Sequence, residues 1–428
     1  MRVLRIVLFS ICIVSAPVMA AEGPSLSVSP EGDRYLNAQG DTVVFILVAS
    51  MDGKQKISAE VDYSISEDGA RVIDEGKVKL ENGRAELTGS LDRPGFLRCD
   101  ATWIAGKDTM RAVAGCGFSV ESIQPTGRLP EDFLRFWRQA AAELLRVPID
   151  LQIEQVEPED IAGAGQYKLS LASVKGGRVH GWLTIPAGSG PFPAVLVVPG
   201  AGVGRTGRAV SFANEGMVVL SINVHGIEPD REKEYYRHLG GELGLGWDYL
   251  WYGLSDPYQY YFRRVIQDCM RALDYLYSRA EVDTARIAVA GSSQGGYLSL
   301  MMAGLDRRVK GIIANVPGLC DHTGVLYGRA SGGPQLLESG AGEAEIRTLS
   351  YFDAALAARL IEVPAIIGVG FIDAVCPPTT VYAAYNNLRG EKAIENFYNV
   401  GHGSAPGWGE RSRAWLLEKL NARVQNQN

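Results

Sequence analysis

The sequence has little of what a nucleic-acid-binding or zinc-binding protein needs. Acidic residues outnumber basic ones, 49 to 42, and losing Arg2 and Arg5 with the first 20 residues changes the formal net charge from −7 to −9. Such a chain does not attract the phosphate backbone of a nucleic acid. The sequence has no Cys-x-x-Cys pair and no histidines spaced for a structural zinc site. We therefore expect neither a nucleic-acid partner nor a metal.

The first 20 residues raise the question of a membrane anchor, but they fit a cleaved signal peptide better. Arg2 and Arg5 precede an apolar run from Ile6 to Val14, which is short for a bilayer, and small residues end at Ala20. We expect cleavage of residues 1–20 and export to the periplasm or the outside of the cell. The mature protein should then have no membrane segment.

Cysteine is sparse, and its number is odd once Cys12 is removed with the signal peptide. Five cysteines remain, and Cys99 and Cys116 lie near matched ends of a predicted hairpin. A Cys99–Cys116 disulfide and a pair of free buried thiols are both open from the sequence.

Residues 21–122 have the pattern of an all-β domain. Short apolar or alternating runs such as DTVVFILVAS and EVDYSIS are separated by Asp-Gly, Asn-Gly and Gly-Lys-Asp turns. Strands at this spacing in about a hundred residues predict a small immunoglobulin-like sandwich. Its role is open between a carbohydrate-binding module, a spacer and a structural cap.

Residues 123–428 have a different pattern, in which strands alternate with helices. Apolar runs such as PAVLVVPG, RIAVAGSS and PAIIGVGFID alternate with longer helical segments. This alternation predicts a mostly parallel sheet with helices on both faces, as in the α/β-hydrolase fold. Ligands of such sheets bind beyond the carboxyl ends of the strands.

Ser293 lies at the centre of the run Gly291-Ser292-Ser293-Gln294-Gly295, between a predicted strand and a predicted helix. In a G-x-S-x-G turn, the two glycines let neighbouring backbones approach while the serine hydroxyl projects from the strand end. A packing turn of small residues is the alternative. The nucleophile hypothesis therefore requires a base and an acid elsewhere in the chain.

The five histidines allow a search by elimination. In α/β hydrolases the acid and then the histidine follow the serine, so only His322 and His402 qualify. No strand-end acid lies between Ser293 and His322, whereas His402 lies in a glycine-flanked loop. Asp373 ends the apolar run before His402 and is the best candidate for the acid.

A serine hydrolase also needs two donors for the oxyanion. The backbone N–H of Gln294 follows the serine directly, and the glycine-rich loop Pro199-Gly200-Ala201-Gly202 follows a predicted strand. We expect the N–H groups of Gln294 and Ala201 to form this site.

From about Leu129 to Asn421, the chain resembles carbohydrate esterase family seven, the acetyl xylan esterase and cephalosporin-C deacetylase group. Three stretches carry the resemblance: LPEDFLRFWRQAAAELLRVPID, YYFRRVIQDCMRALDYLYSRAEVDTARIAVAGSSQGGYLSL and FIDAVCPPTTVYAAYNNLRGEKAIENFYNVGH. The resemblance implies a serine esterase that removes acetyl groups from carbohydrates such as xylan through an acetyl-enzyme, and the signal peptide implies that it is secreted. It implies Ser293, Asp373 and His402 as the triad, no cofactor, and a homo-oligomer.

The chain departs from the family pattern at several positions. Ala201 stands where the family usually has tyrosine, His225-Gly226-Ile227-Glu228 replaces R-G-Q-G, and Gly403 follows His402 in place of glutamate. Many members also lack the β domain. Substrate preference and the hexameric assembly of the family are therefore open here. Candidate pocket residues are His225 and Ile227 in the altered motif and the aromatic residues Trp251 and Tyr252.

Two other functions remain to be distinguished. Prolyl-oligopeptidase-like peptidases share the serine motif and the triad order, but a hundred-residue sandwich is too short for their propeller. A carbohydrate-binding protein that kept the hydrolase fold has no use for a complete triad. Both are alternatives to the esterase.

Overall fold

The computed structural model describes residues 23–55, 57–241, 248–337 and 342–425. The predicted signal peptide, residues 1–20, lies outside these ranges. Within them, no helix is long and apolar enough to cross a bilayer.

The N-terminal region, which we call the β unit (residues 23–122), contains eight strands in two sheets. The strands are β1 (Pro24–Pro30), β2 (Leu36–Asn37), β3 (Thr42–Met51), β4 (Ala59–Glu67), β5 (Arg71–Leu80), β6 (Arg84–Ser90), β7 (Gly95–Ala105) and β8 (Asp108–Phe118). One sheet has the order β1-β3-β6 and the other β2-β8-β7-β4-β5. Apolar side chains of both sheets form a single core.

Strand β7 shows how alternation gives this unit two different faces. Leu97, Cys99 and Ala101 point into the core between the sheets. Their neighbours point to the other side, where Phe96 packs into the core of the region that follows in sequence. Because successive side chains of a strand point to opposite faces, one strand contributes to two cores.

The predicted hairpin that contains Cys99 and Cys116 is confirmed as β7 and β8. Its register pairs Cys99 with Ala114 and Cys116 with Leu97. The two cysteines are therefore offset by two positions along the ladder, and both are buried free thiols in the structure.

The second region, which we call the α/β unit (residues 123–425), contains a nine-stranded sheet. Its strands are β9 (Gln152–Val156), β10 (Gly165–Ala172), β11 (Arg178–Ile185), β12 (Phe192–Val198), β13 (Val218–Asn223), β14 (Val282–Ser292), β15 (Val309–Asn315), β16 (Ala365–Gly370) and β17 (Lys392–Phe397). The order is β17-β16-β15-β14-β12-β13-β11-β10-β9.

Helices cover both faces of this sheet, as the alternating pattern predicts. The helices are α1 (Phe133–Leu145), α2 (Val210–Asn214), α3 (Lys233–Gly241), α4 (Tyr261–Tyr277), α5 (Gln294–Leu305), α6 (Glu343–Ser350), α7 (Ala354–Ala357), α8 (Pro378–Asn387) and α9 (Trp408–Gln425). Helices α1, α4, α5 and α8 share the larger core on one face. Helices α2 and α9 pack on the other face.

The sheet is parallel from β13 to β17, while β9, β10 and β11 form an antiparallel edge. The sequence pattern predicts a mostly parallel sheet without locating this edge. Pairing direction depends on contacts between distant segments, and local hydrophobicity does not specify it. The carboxyl ends of β12, β14, β15 and β16 meet at one edge, where the predicted site residues lie.

Candidate active site

Ser293 occupies a strained turn between β14 and α5. Its backbone has φ 58° and ψ −119°, a conformation that L residues rarely adopt. A Cβ atom at Gly291 would lie 2.5 Å from the carbonyl carbon of Gly295, and one at Gly295 would lie 2.5 Å from the carbonyl oxygen of Val198. The two glycines are therefore required for the close packing that holds Ser293 at the strand end.

His402 lies in the loop after β17 and reaches Ser293 directly. Its Nε2 is 2.9 Å from Ser293 Oγ, and its Nδ1 is 2.9 Å from Oδ2 of Asp373. These distances are those of hydrogen bonds, so the nucleophile candidate, the base candidate and the acid candidate form one connected chain.

Asp373 follows β16 and is only 2% exposed. Its Oδ1 accepts hydrogen bonds from the backbone N–H groups of Val375 and Cys376, at 2.8 and 2.9 Å. These two bonds hold one carboxylate oxygen in place and leave Oδ2 directed at His402. The loop between β16 and α8 therefore determines the orientation of the imidazole ring.

Ala201 and Gln294 both line the cavity that contains Ser293. Within the part of the chain that the structure describes, neither N–H donates to another residue. Two unused donors beside a nucleophile are what an oxyanion site needs. The structure therefore brings both predicted residues to the site.

The loop that carries Ala201 is tied to the side chain of Gln294. Tyr249 Oη donates to Gln294 Oε1 at 2.7 Å and accepts from the N–H of Gly202 at 3.2 Å. Gln294 Nε2 also donates to the carbonyl oxygen of Gly200 at 3.3 Å. Tyr249, which the sequence analysis missed, thus connects the two halves of the candidate oxyanion site.

The cavity at the candidate triad has a volume of about 410 Å³. Small and apolar residues form most of its wall, with these members: Gly200, Ala201, Leu250, Ser292, Ser293, Gln294, Gly318, Leu319, Gly333, Pro334, Val375, Cys376 and His402. An apolar wall with a few convergent polar groups is typical of a small-molecule site.

The structure does not bring His225 or Ile227 into this wall. His225 is buried below the loop that carries Ala201, where Nε2 lies 3.1 Å from the carbonyl oxygen of Gly202 and Nδ1 lies 2.8 Å from Tyr261 Oη. Burial lowers the pKa of His225 to about 4, so the ring is neutral at ordinary pH. Ile227 packs in a separate small cluster with Tyr236.

Trp251 and Tyr252 lie at the surface beside the cavity rather than in its wall. Their exposed fractions are 42% and 41%, and Leu250, the residue before them, lines the cavity. The structure therefore does not bring these two predicted pocket residues into the cavity wall.

Asn315 is a further residue that the sequence analysis missed. It ends β15, and its Nδ2 donates to Ser292 Oγ at 3.0 Å and to Ser404 Oγ at 2.9 Å. The side chain therefore connects the serine turn to the histidine loop. A polar residue at the end of a buried strand was the signal that could have identified it.

Among the described residues, one group has the spacing of metal ligands: Asp373, Cys376 and His402. Both ring nitrogens of His402 are already hydrogen-bonded, to Asp373 and Ser293. Oδ1 of Asp373 also already accepts from the backbone N–H groups of Val375 and Cys376. The donor set fits a hydrogen-bonded triad better than a metal site.

The chain is also similar to known proteins. The family model for acetyl xylan esterase (AXE1) matches residues 119–419. The chain is 34% identical over 341 residues to acetyl esterase Axe7A of Xylanibacter ruminicola, covering 78% of this chain and 77% of the relative.

Two solved structures are also similar. An acetyl xylan esterase from Paenibacillus sp. R4 is 31% identical with a TM-score of 0.60, covering 70% of this chain and 98% of that protein. Acetyl xylan esterase 1 from Thermoanaerobacterium sp. JW/SL YS485 is 27% identical with a TM-score of 0.61, covering 70% and 97%.

Proposed function

The chain belongs to the acetyl xylan esterase family and is a carboxylic ester hydrolase, and from this premise we propose that it is an exported serine esterase that removes acetyl groups from carbohydrates. Xylan is the substrate that the names of two similar structures give, and the proposal includes its oligosaccharides. The observation that carries the proposal is the hydrogen-bonded chain from Asp373 through His402 to Ser293.

In the first half of the reaction, Ser293 Oγ attacks the acetyl carbonyl while His402 Nε2 takes its proton. Asp373 keeps Nδ1 protonated and stabilises the imidazolium without taking the proton itself. The N–H groups of Ala201 and Gln294 stabilise the negative charge on the tetrahedral oxygen. His402 then gives the proton to the sugar oxygen, which leaves as the free hydroxyl group.

In the second half, a water molecule attacks the acetyl-serine. His402 accepts a proton from the water, and the same two amides hold the second oxyanion. Collapse releases acetate and returns the proton to Ser293. The small and apolar wall of the cavity suits a short acyl group, while Trp251 and Tyr252 offer rings to a sugar outside it.

Domain organisation and location belong to the same proposal. Residues 1–20 act as a signal peptide, residues 21–122 form an immunoglobulin-like sandwich, and residues 123–428 form the catalytic domain. Two facing sheets that share one core support the sandwich assignment.

The test is acetate release by the mature protein and two serine variants, Ser293→Ala and Ser292→Ala. Substrates are acetylated xylo-oligosaccharides, peracetylated sugars, a chromogenic acetate ester and a proline-containing peptide. We expect acetate from the sugars and a loss of roughly 10³-fold or more in Ser293→Ala. Ser292→Ala, which removes a hydroxyl group that accepts from Asn315 but leaves the candidate nucleophile, should lose far less activity.

Other outcomes have definite meanings. Cleavage of the chromogenic ester alone would support esterase activity and reject the acetylated sugars as substrates. Cleavage of the peptide would favour a peptidase. No cleavage by the folded protein would favour a carbohydrate-binding role.

A further inference from the structure

The β unit packs directly against the loops that hold Asp373 and His402. The ring of Phe96 meets Phe371 edge to face, with centroids 5.0 Å apart. At Gly115 in β8, an added Cβ would lie 2.2 Å from the carbonyl oxygen of Phe371. Phe371 lies two residues before Asp373, so this segment runs in contact with the backbone of the β unit.

Arg98 in β7 makes a polar contact at the same place. Its Nη1 donates to the carbonyl oxygen of Ile372 at 2.9 Å. Its Nε and Nη2 are held by the two carboxylate oxygens of Asp100, at 2.8 and 2.9 Å. Because this bidentate pair fixes the guanidinium plane, the third nitrogen, Nη1, is directed at the Ile372 carbonyl group.

The contact with Ile372 affects the candidate acid through the backbone. The Ile372 carbonyl belongs to the peptide plane that enters Asp373. The N–H of Ile372 donates to the carbonyl oxygen of Val400 at 3.4 Å, two residues before His402. Arg98 therefore contacts a backbone segment that leads directly into Asp373 and is hydrogen-bonded to the loop of His402.

Tyr35 makes a second contact, with the histidine loop. Its ring stacks on Tyr398 with centroids 4.3 Å apart and planes 17° apart. Its hydroxyl group donates to Oδ1 of Asn399 at 3.3 Å. Tyr35 itself is only 8% exposed, whereas Tyr398 is half-buried and Asn399 is exposed.

Further from the triad, Arg93 strengthens the same interface. It donates to the carbonyl oxygens of Tyr327 and Gly328, at 3.2 and 2.9 Å. Glu67, whose side chain is 1% exposed, holds the guanidinium group of Arg93. The β unit thus contacts the α/β unit at several places, through Arg93, Arg98 and Tyr35.

We propose that the β unit is a positioning element for the triad, and that Arg98 is the positioning residue that holds the loop of Asp373 in register with His402. This inference rests on the proposed function, because it concerns the same triad. It assigns the β unit a catalytic contribution that requires no sugar binding of its own. Errors of about 1 Å in such a constellation cost on the order of 100-fold in rate.

The test compares Arg98→Ala and Arg98→Lys with Arg84→Ala in the full mature chain. Arg84 in β6 is a matched control, because it pairs with Glu86 at the same two-residue spacing and is about half exposed. We expect Arg98→Ala to lower kcat by about 10-fold to 100-fold, with KM changed by less than about twofold. Arg98→Lys should recover part of kcat, since an ammonium group can still donate to the Ile372 carbonyl, and Arg84→Ala should match the parent.

The pH profile separates positioning from a general loss of folded protein. A carboxylate that is held less well stabilises the imidazolium less, so the acid limb of kcat/KM should move to lower pH in Arg98→Ala. Partial unfolding would lower the amplitude of the profile without moving that limb.

Tyr35→Phe keeps the inference testable if Arg98→Ala does not fold. It preserves the stack on Tyr398 and removes the hydrogen bond to Asn399, and we expect a fall in kcat of about threefold to tenfold. Parent-like kcat and pH profiles in the Arg98 and Tyr35 variants would overturn the inference. Absence of acetate release by the parent protein would instead overturn the proposed function.

Discussion

Tyr249 donates a 2.7 Å hydrogen bond to the side chain of Gln294, a candidate oxyanion residue that lines the cavity with Ser293. Burial raises the pKa of Tyr249 to about 12, so its hydroxyl group stays protonated at every pH at which the enzyme is assayed. The same oxygen accepts from Gly202 in the loop of Ala201. One phenol group thus sets the spacing between the two candidate donors.

Replacing Tyr249 with phenylalanine should loosen that spacing while keeping the ring. We expect Tyr249→Phe to lower kcat about tenfold with little change in KM, because the donors act mainly on the transition state. Tyr258→Phe is the matched control, since the Tyr258 ring is exposed at the surface. Equal kcat values for the two variants would show that the bridge does not matter for catalysis.

The Asp373→Asn substitution should lower activity far more than the small change in side-chain size suggests. Oδ1 accepts from two backbone N–H groups, so the amide oxygen will take that place and the NH2 group will face His402. Nδ1 of His402 must then accept a hydrogen bond, so the single ring proton lies on Nε2. A protonated Nε2 cannot take the proton of Ser293. We expect a fall in kcat of about 10⁴-fold, measured as acetate release, with little change in the unfolding temperature. A loss below tenfold would remove Asp373 from the triad.

Asp68 in the turn after β4 should make the stability of the protein depend on pH. Its pKa is raised to about 7, mainly by burial and also by the charge of Glu67, against the lowering effects of Thr379, Arg329 and Arg98. Neither carboxylate oxygen has a hydrogen bond of good geometry among the described residues, and the neighbouring Thr379 hydroxyl group is also unsatisfied. The charged form therefore opposes folding.

The sign follows from the two protonation equilibria. Because the folded pKa is above the usual value of 3.8, the cost is absent below about pH 4, grows as pH rises towards 7, and is complete above it. Asp68→Asn should raise the free energy of unfolding at pH 8 by up to roughly 4 kcal/mol and leave it unchanged at pH 4. Urea unfolding at both pH values tests this, with the exposed Asp108→Asn as a control. An equal gain at both pH values would contradict the titration of Asp68.

The cysteines should behave as unreactive thiols. Five free cysteines are buried, and burial raises the pKa of Cys99 and of Cys116 to about 12. A thiol reagent at pH 8 should leave the native mature protein unlabelled and fully active, and should label five thiols after unfolding. Three thiols after unfolding would indicate a Cys99–Cys116 disulfide.

The site could be predicted from the sequence as far as chemistry and chain order determine it. Only two histidines follow Ser293, and only His402 follows a strand that ends in an acid. His225 illustrates where this reasoning fails. Its place in an altered motif suggested a pocket residue, but its ring is turned towards Gly202 and Tyr261. The direction of a side chain depends on the packing around it, which a motif does not contain.

The β unit shows the same limit on a larger scale. Alternation in β7 predicts a strand with two faces, and the sequence pattern correctly predicts its hairpin with β8. Nothing in that pattern indicates that the face with Phe96 and Arg98 meets the loop of Asp373, 274 residues away from Arg98 in the chain.

The sequence alone determined the alternation of strands and helices, the glycine-flanked serine turn, and the identity of the three candidate catalytic residues. These follow from local periodicity, glycine sterics and the chemistry of the side chains, all of which act within a few residues or by elimination. The tertiary structure decided the antiparallel edge of the sheet, the bridge of Tyr249 and the contact of Arg98 with Ile372. Each of these joins segments that are remote in sequence, and their distances are set by how the whole chain packs.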